Sequence, residues 1–339
     1  MQHEITQRGP LLDAKGQVKE PGWARSLIMD YDRNKIKAPK TRLKEWDYYA
    51  VLNDKFGIAF TIADNGYMGF ISVTLFDFIA KNEVTKTLMT LFPMGKFNMP
   101  AGSDSGDVKY KQKGFTLYFE NNLKTRILTV DIENFSDGRS LKGTFTLQKD
   151  PEHESMVIAT PFQKPGHFYY NQKINNMRAS GKIIFNGKIF DFEKRPSFGV
   201  LDWGRGVWTY QNTWYWGSAS GELNGELFGF NIGYGFGDTS AATENMLFYK
   251  GKAHKLENVS FNIPDDSYMK PWTFTSSDKR FEMTFQPVLD RHSNANVLLI
   301  QSDQHQVFGY FSGKAVLDDG EELKLDRFFG FAEKVYNRW

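Results

Sequence analysis

The chain has 339 residues, enough for two hydrophobic cores of roughly 150 residues each, with 42 Lys and Arg against 40 Asp and Glu. A net charge of +2 gives no basic footprint for nucleic acid or an anionic membrane, so neither is expected as a partner. Cysteine is absent, which excludes disulfides, thiolate metal centres and a cysteine nucleophile, while an aromatic content of 16% suits strands and apolar recesses.

Residues 1–44 carry Gly9-Pro10, Pro21-Gly22, Pro39 and many charges, which suits an extended strap, with Trp23 as the residue that pins it to the body. The opening residues hold no apolar run long enough for a signal-peptide core, and no later segment reaches transmembrane length, so a cytoplasmic protein without an integral membrane segment is expected. From Trp46 the apolar residues alternate or run in short blocks (WDYYAVLN, FGIAFTI, YMGFISVTLFDF, KTLMTLF, GFTLYFEN, TRILTVDIENF, LKGTFTLQ), each with the period of a strand. Asn53-Asp54, Asp64-Asn65-Gly66, Asn121-Asn122 and Ser136-Asp137-Gly138 separate them with residues that tolerate tight hairpin turns, so the order reads as a meander. The same grammar continues past Pro151 to the end of the chain. One exception is expected at Phe198–Asn212, a Gly-punctuated and Trp-rich stretch that suits a short helical turn or an irregular loop at a barrel mouth.

An internal repeat points to duplication. SGKIIFNGKIFDFE from Ser180 matches SGKAVLDDGEELKLD from Ser312, with hairpin glycines at Gly187 and Gly320. Each copy leads into a segment with acidic, basic and tryptophan residues, Asp202–Trp208 and Glu333–Trp339. The expected architecture is all-β: two lipocalin-like antiparallel barrels in tandem, over residues 45–195 and 196–339 with strands open to exchange between the halves, behind the 1–44 strap. Closing such sheets removes exposed edges and leaves an interior wide enough for one small ligand.

The segment LDWGRGVWTYQNTWYWGSASG, Leu201–Gly221, with GWARSLIMDYDRNKIKAPKTRLKEWDYY near the start and GFAEKVYNRW at the end, resembles a bacterial family of lipocalin-like (calycin) domains of unknown function. The resemblance covers nearly the whole chain. More distantly, that clan is similar to two-barrel carotenoid hydratases and Diels-Alderase-type cyclases, which implies a bulky apolar ligand; no catalytic residue carries over.

The densest chemical cluster is Asp202, Trp203, Arg205, Trp208, Asn212, Trp214 and Trp216. In a strand Trp214 and Trp216 share one face, as a ligand-binding aromatic wall would require, and Tyr215 takes the other. The alternative is a barrel plug in which Arg205 stacks on a tryptophan. Asp202 buried among aromatics would be a candidate acid, whereas pairing with Arg205 would make it a structural ion pair, and the pairing is the expectation. Glu333, Arg338 and Trp339 form a second group of the same kind, expected to plug the second barrel, with Glu333 a candidate catalytic residue if the protein is an enzyme. His167 beside Phe168, Tyr169 and Tyr170 is a candidate general base or a simply hydrogen-bonded side chain, and Asp238, Glu244 and Asn245 flank a loop able to orient a ligand. The run FNIGYGFG, Phe230–Gly237, lacks the context of a phosphate loop and reads as a Gly-kinked strand. Histidines at positions 3, 153, 167, 254, 292 and 305 show no i, i+2 or i, i+4 pair, so no metal site is expected, and nothing calls for a cofactor.

Three functions fit these residues: binding of a lipid, isoprenoid or aromatic metabolite in a barrel cavity; a hydratase, isomerase or cyclase that protonates an apolar metabolite with a carboxylic acid; and an interaction module whose aromatics only fill cores. An acid inside the recess separates the second from the first.

Overall fold

The computed structural model describes residues 2–193, 196–297 and 300–338. The strap contains β1 (Gly9–Pro10), β2 (Gly22–Ala24) and β3 (Met29–Asp30) with two single 3-10 turns. There follow β4 (Lys44–Leu52), β5 (Phe56–Asp64), β6 (Met68–Asp77), β7 (Asn82–Leu91), β8 (Val108–Gln112), β9 (Phe115–Asn121), β10 (Thr125–Ser136), β11 (Arg139–Gln148), β12 (Met156–Pro161), β13 (Phe168–Phe185), β14 (Lys188–Asp191) and β15 (Phe198–Val207). The second half holds β16 (Gln211–Leu223), β17 (Glu226–Tyr234), β18 (Met246–Tyr249), β19 (Lys252–Lys255), β20 (Val259–Asn262), β21 (Trp272–Ser276), β22 (Phe281–Val297), β23 (Ile300–Val316) and β24 (Glu322–Arg338). Among the described residues there is no α-helix, and no helix long and apolar enough to cross a membrane.

Apart from the parallel pair β1–β3 in the strap, the strands form two curled antiparallel sheets in tandem. The main path of the first is β7-β6-β5-β4-β15-β13-β11-β10-β9-β8, and the second is β19-β18-β17-β16-β24-β23-β22-β21-β20. The two orders match: a four-strand meander (β4 to β7, or β16 to β19) whose first strand is joined by the last strand of its half (β15, or β24). The four turn signals sit where expected. Asn53 Oδ1 accepts from the backbone of Lys55 and Phe56, Asp64 Oδ1 from Gly66, and Asn122 Oδ1 from Lys124 and Thr125, while Asp137 and Gly138 take φ of 50° and 77°. The repeat is also structural. Gly181 on β13 and Gly313 on β23 share an unusual φ of 151° and 150°, and a Cβ on either would collide with a carbonyl of the paired strand, that of Thr144 or of Glu282.

Two expectations need correction. Phe198–Asn212 is neither helical nor irregular through most of its length, because Phe198–Val207 is β15. It alternates buried and seam-facing side chains, and Gly204 and Gly206 make room for the Trp46 ring and the Phe168 carbonyl. Since β15 bonds to β4 and β13, it belongs to the first sheet, and the chain crosses over between Val207 and Gln211 and not at 195/196. Hairpin spacing along the sequence gives no warning that a strand will return to close its sheet.

The barrel interiors are filled. Tyr49, Phe60, Phe119, Phe145 and Trp203 pack the first, and Phe228, Phe230, Trp272, Phe274 and Phe311 the second, all at zero exposure. The space for a ligand anticipated along a barrel axis is therefore taken by side chains. The outer faces of β4, β15, β16, β23 and β24 meet in a seam through Tyr48, Ala50, Val200, Trp216, Phe308 and Phe331. The strap crosses this seam: Trp23 is buried, and Arg25 donates to Glu154 of the first half and to the Ala253 carbonyl of the second.

Candidate functional site

Alternation along β15 divides the central motif between two environments. Trp203 and Arg205 point into the first half-barrel. Trp203 is edge-on to Tyr170 at 5.5 Å and to Tyr31 at 6.5 Å, and the Arg205 guanidinium lies 4.3 Å over the Trp203 ring. Arg205 pairs with Asp47 at 3.0 Å and donates to the carbonyls of Trp46 and Pro100. A buried guanidinium needs such partners, and this arrangement is the stacked plug, not a ligand surface. Arg205 does not pair with Asp202, because residues three apart on a strand face opposite sides.

Asp202 instead faces the seam, within a row that runs across three strands. It stands opposite Tyr48 on β4 and opposite Lys173 on β13, whose Nζ approaches it to 2.8 Å. It also accepts from Asn171 Nδ2 at 2.6 Å. The second sheet presents a row from the matching strands β16, β24 and β23: Trp216, Glu333 and Gln306 stand opposite one another in register. The rows meet. Lys173 Nζ lies 3.9 Å over the Trp216 ring, Tyr48 packs edge-on to Trp216 at 5.9 Å, and Gln306 Nε2 donates to the Tyr48 hydroxyl at 3.1 Å. Each half of the duplication thus supplies one carboxyl flanked by an aromatic and a polar side chain.

Glu333 is the residue with unusual proton affinity. Burial pushes its carboxyl from 4.5 up to about 7, and neighbouring Asp202 adds to the rise. The Trp214 indole N–H bonded to Oε1 at 3.1 Å and the Lys173 charge act in the other direction without cancelling it. Gln306 Nε2 donates to Oε2 at 3.2 Å. Glu244, buried nearby, is likewise raised by burial, with Lys173 opposing. The arrangement is three carboxyls with two cations, Lys173 and an Arg291 that donates to Gln306 Oε1 at 3.2 Å, and Glu333 is the carboxyl poised to hold or release a proton near neutrality.

A cleft of about 490 Å³ opens between the sheets, lined by Val200, Ser218, Ser220, Arg327, Phe329 and Phe331 among others. On each contributing strand the next residue of the same face is a member of the cluster: Asp202 beyond Val200, Trp216 beyond Ser218, Glu333 beyond Phe331. That step is about 7 Å. Phe331, edge-on to Trp216 at 4.8 Å, forms the wall between cleft and carboxyls.

The other candidates fall as follows. Trp214 and Trp216 share the seam face, and Tyr215 turns away to stack on Tyr234 at 4.4 Å. Trp208 packs edge-on to Trp46 at 5.1 Å and to Phe236 at 5.3 Å. Asn212 bonds Thr209 and holds the crossover between sheets. FNIGYGFG is β17 followed by Gly235 and Gly237 at φ of 93° and 82°, a turn that inserts Phe236 among Phe162, Tyr169, Trp208 and Trp214. His167 bonds the Pro165 carbonyl at 3.4 Å on the loop before β13 and makes no hydrogen bond or ion pair with Asp202, Glu244 or Glu333 among the described residues. Asp238 is exposed and accepts from Ser240, whereas Asn245 is buried and braces Gly233 and Glu257. Glu333 does not plug the second barrel, since its face of β24 is the seam. Arg338 ends the strand, and Trp339 lies outside the described residues. Lys173, Gln306, Tyr48 and Phe236 escaped the sequence reading; the one visible signal was a lone lysine in the aromatic and amide run HFYYNQKINN. His292 and His305, unrelated in sequence spacing, stand opposite each other on β22 and β23.

In fold, the chain is similar to the crystal structure of CghA with Sch210972, at 10% identity over 97% of both chains and a TM-score of 0.58. It is similar also to kievitone hydratase from Nectria haematococca, at 8% identity over 97% of this chain and 98% of that one, with a TM-score of 0.52. No curated protein matches the chain. The sequence pattern of the domain of unknown function DUF2804 matches residues 2–339, and the chain belongs to that family.

Proposed function

We propose that this protein binds an apolar small molecule in the cleft between its sheets and acts on it by proton transfer through Glu333, as a hydratase, isomerase or cyclase. The feature that carries this reading is a buried carboxyl, pushed up to about 7 by burial, one strand step behind the Phe331 wall of a cleft lined by phenylalanines together with serines and charged side chains. A general acid is most effective when its pKa lies near the working pH, and passive storage of an apolar ligand requires no such group. That one fold neighbour is by name a hydratase agrees with it.

In a hydration, once the Phe331 ring turns aside and brings the ligand within reach of the carboxyl, the Glu333 proton adds to one alkene carbon, water adds to the other, and the proton that water releases returns to the carboxylate. In an isomerisation, the carboxylate instead removes a proton from a neighbouring carbon. The Trp216 face already carries Lys173, which leaves Phe331 and Trp214 as the rings available to a developing cation. Lys173, held by Asp202, keeps the protonated and ionised forms of Glu333 close in energy.

Binding without turnover is the second reading, favoured by the engagement of both Glu333 oxygens by Trp214 and Gln306. The test is to extract and identify the molecule that co-purifies with the protein from its own host, then incubate it, and compounds differing from it by one water or one double-bond position, with wild type and Glu333→Gln. The proposal expects conversion by wild type and a loss on the order of 100-fold in the variant with ligand affinity retained. Conversion undiminished in Glu333→Gln would remove the acid role, and affinity with no conversion by either would leave a carrier.

A further inference from the structure

We infer that His292, Asp303 and His305 form a binding site for a divalent transition-metal cation of the zinc class, on the face of the β22–β23 hairpin opposite the seam. Sequence spacing argued against any metal site because the two histidines lie far apart in the chain. Hairpin register sets them directly opposite each other, and Asp303, two residues before His305 on β23, shares their face.

The Nε2 atoms of His292 and His305 lie 2.9 and 3.7 Å from the same Asp303 oxygen, and the three ligand atoms all fall within 4.8 Å of one another. Ligand atoms of a tetrahedral zinc stand roughly 3.3 Å apart, given bonds of about 2.0 Å, so the set closes once the His292 ring turns out of its parallel stack on His305. Two imidazoles and one carboxylate suit zinc and its neighbours and leave further positions to water.

The surroundings prepare the ligands. His305 Nδ1 stands 2.7 Å from Asp290 Oδ2, so Nδ1–H donates to the carboxylate and the Nε2 lone pair is left directed toward His292 and Asp303. Such carboxylate-bonded histidines are the usual outer shell of a metal ligand. Tyr268 stacks on His305 at 3.8 Å, which fixes the plane of that ring, while His292, parallel to it at 4.0 Å, is the more exposed ring and the one that turns toward the ion. His305 is largely buried while the His292 side chain is 47% exposed, which provides an approach for a hydrated ion. The cation would tie the ends of two 17-residue strands together.

The full chain is stripped with a chelator and titrated with zinc chloride against a chromophoric chelator, and in parallel with cobalt chloride by visible absorption. One ion per chain is expected, with a cobalt spectrum of low-symmetry coordination by nitrogen and oxygen. His292→Ala and His305→Ala each weaken zinc binding by at least about 100-fold, and Asp290→Asn, which alters only positioning, by about 10- to 100-fold. His254→Ala, a histidine paired with Asp318 elsewhere, leaves binding unchanged. The metal-free unfolding midpoint of His292→Ala matches that of wild type, which separates loss of a ligand from loss of fold. No zinc binding by wild type at tens of micromolar, or binding undiminished in the His292→Ala/His305→Ala double variant, overturns the site.

Discussion

Replacing Glu333 by glutamine changes how stability depends on pH. The side chain is buried at 9% exposure and its carboxyl is raised from 4.5 to about 7. Between those values the folded protein holds a proton that the unfolded chain has released, so stability falls as pH rises through that window and levels off above it. At about 1.36 kcal/mol for each tenfold change in proton affinity, the loss is roughly 3 kcal/mol. Glu333→Gln abolishes this titration. It also leaves one of two donors, Trp214 Nε1 or Gln306 Nε2, facing an amide nitrogen, at a cost of about 1 to 3 kcal/mol. The variant is therefore less stable than wild type near pH 5 and equal or more stable near pH 8. Urea denaturation at pH 5, 6, 7 and 8 measures both curves, and titrations common to the two proteins cancel in their difference. A difference that stays constant across the series would refute a neutral Glu333.

Trp214→Phe removes the indole donor that favours the ionised carboxylate, so the Glu333 midpoint moves upward from about 7, readable by carboxyl carbon NMR against Glu333→Gln as the assignment control. Arg205→Leu strands Asp47 without its partner and costs about 3 to 5 kcal/mol in urea denaturation, and adding Asp47→Leu recovers much of the loss. Gly181→Ala and Gly313→Ala each place a methyl against a facing carbonyl and destabilise by similar amounts, about 1 to 3 kcal/mol by calorimetry. Tolerance at one and not the other would break the equivalence of the two hairpins.

The all-β character and most hairpins were legible because turn residues and period-two patterns are local properties of the chain. Duplication was legible for the same reason: Gly181 and Gly313 must each be glycine in the same strained place, and the flanking residues repeat with them. Sheet closure was not, since the pairing of Phe198–Val207 with Lys44–Leu52 joins residues from opposite ends of the first half. The site shows the same division. Trp214, Trp216, Asp202 and Glu333 were singled out by composition, and the structure brings all four to one seam. Their partners were hidden, because Lys173, Gln306 and Tyr48 join the cluster through register and through the meeting of two sheets. Arg205 and Asp202 were expected to pair on proximity in sequence, and strand alternation separates them. His292 and His305 were dismissed on spacing for the corresponding reason, because a long hairpin brings together positions that spacing along the chain cannot relate.

Native mass spectrometry of the chain purified from its own host, wild type beside Val200→Trp, reports whether the cleft holds a ligand. Val200 lines the cleft, and an indole there occupies part of its volume of about 490 Å³. One apolar molecule per wild-type chain is expected, and none on Val200→Trp. A wild type that is repeatedly empty, or two proteins that carry the molecule equally, would contradict a ligand in the cleft beside Glu333.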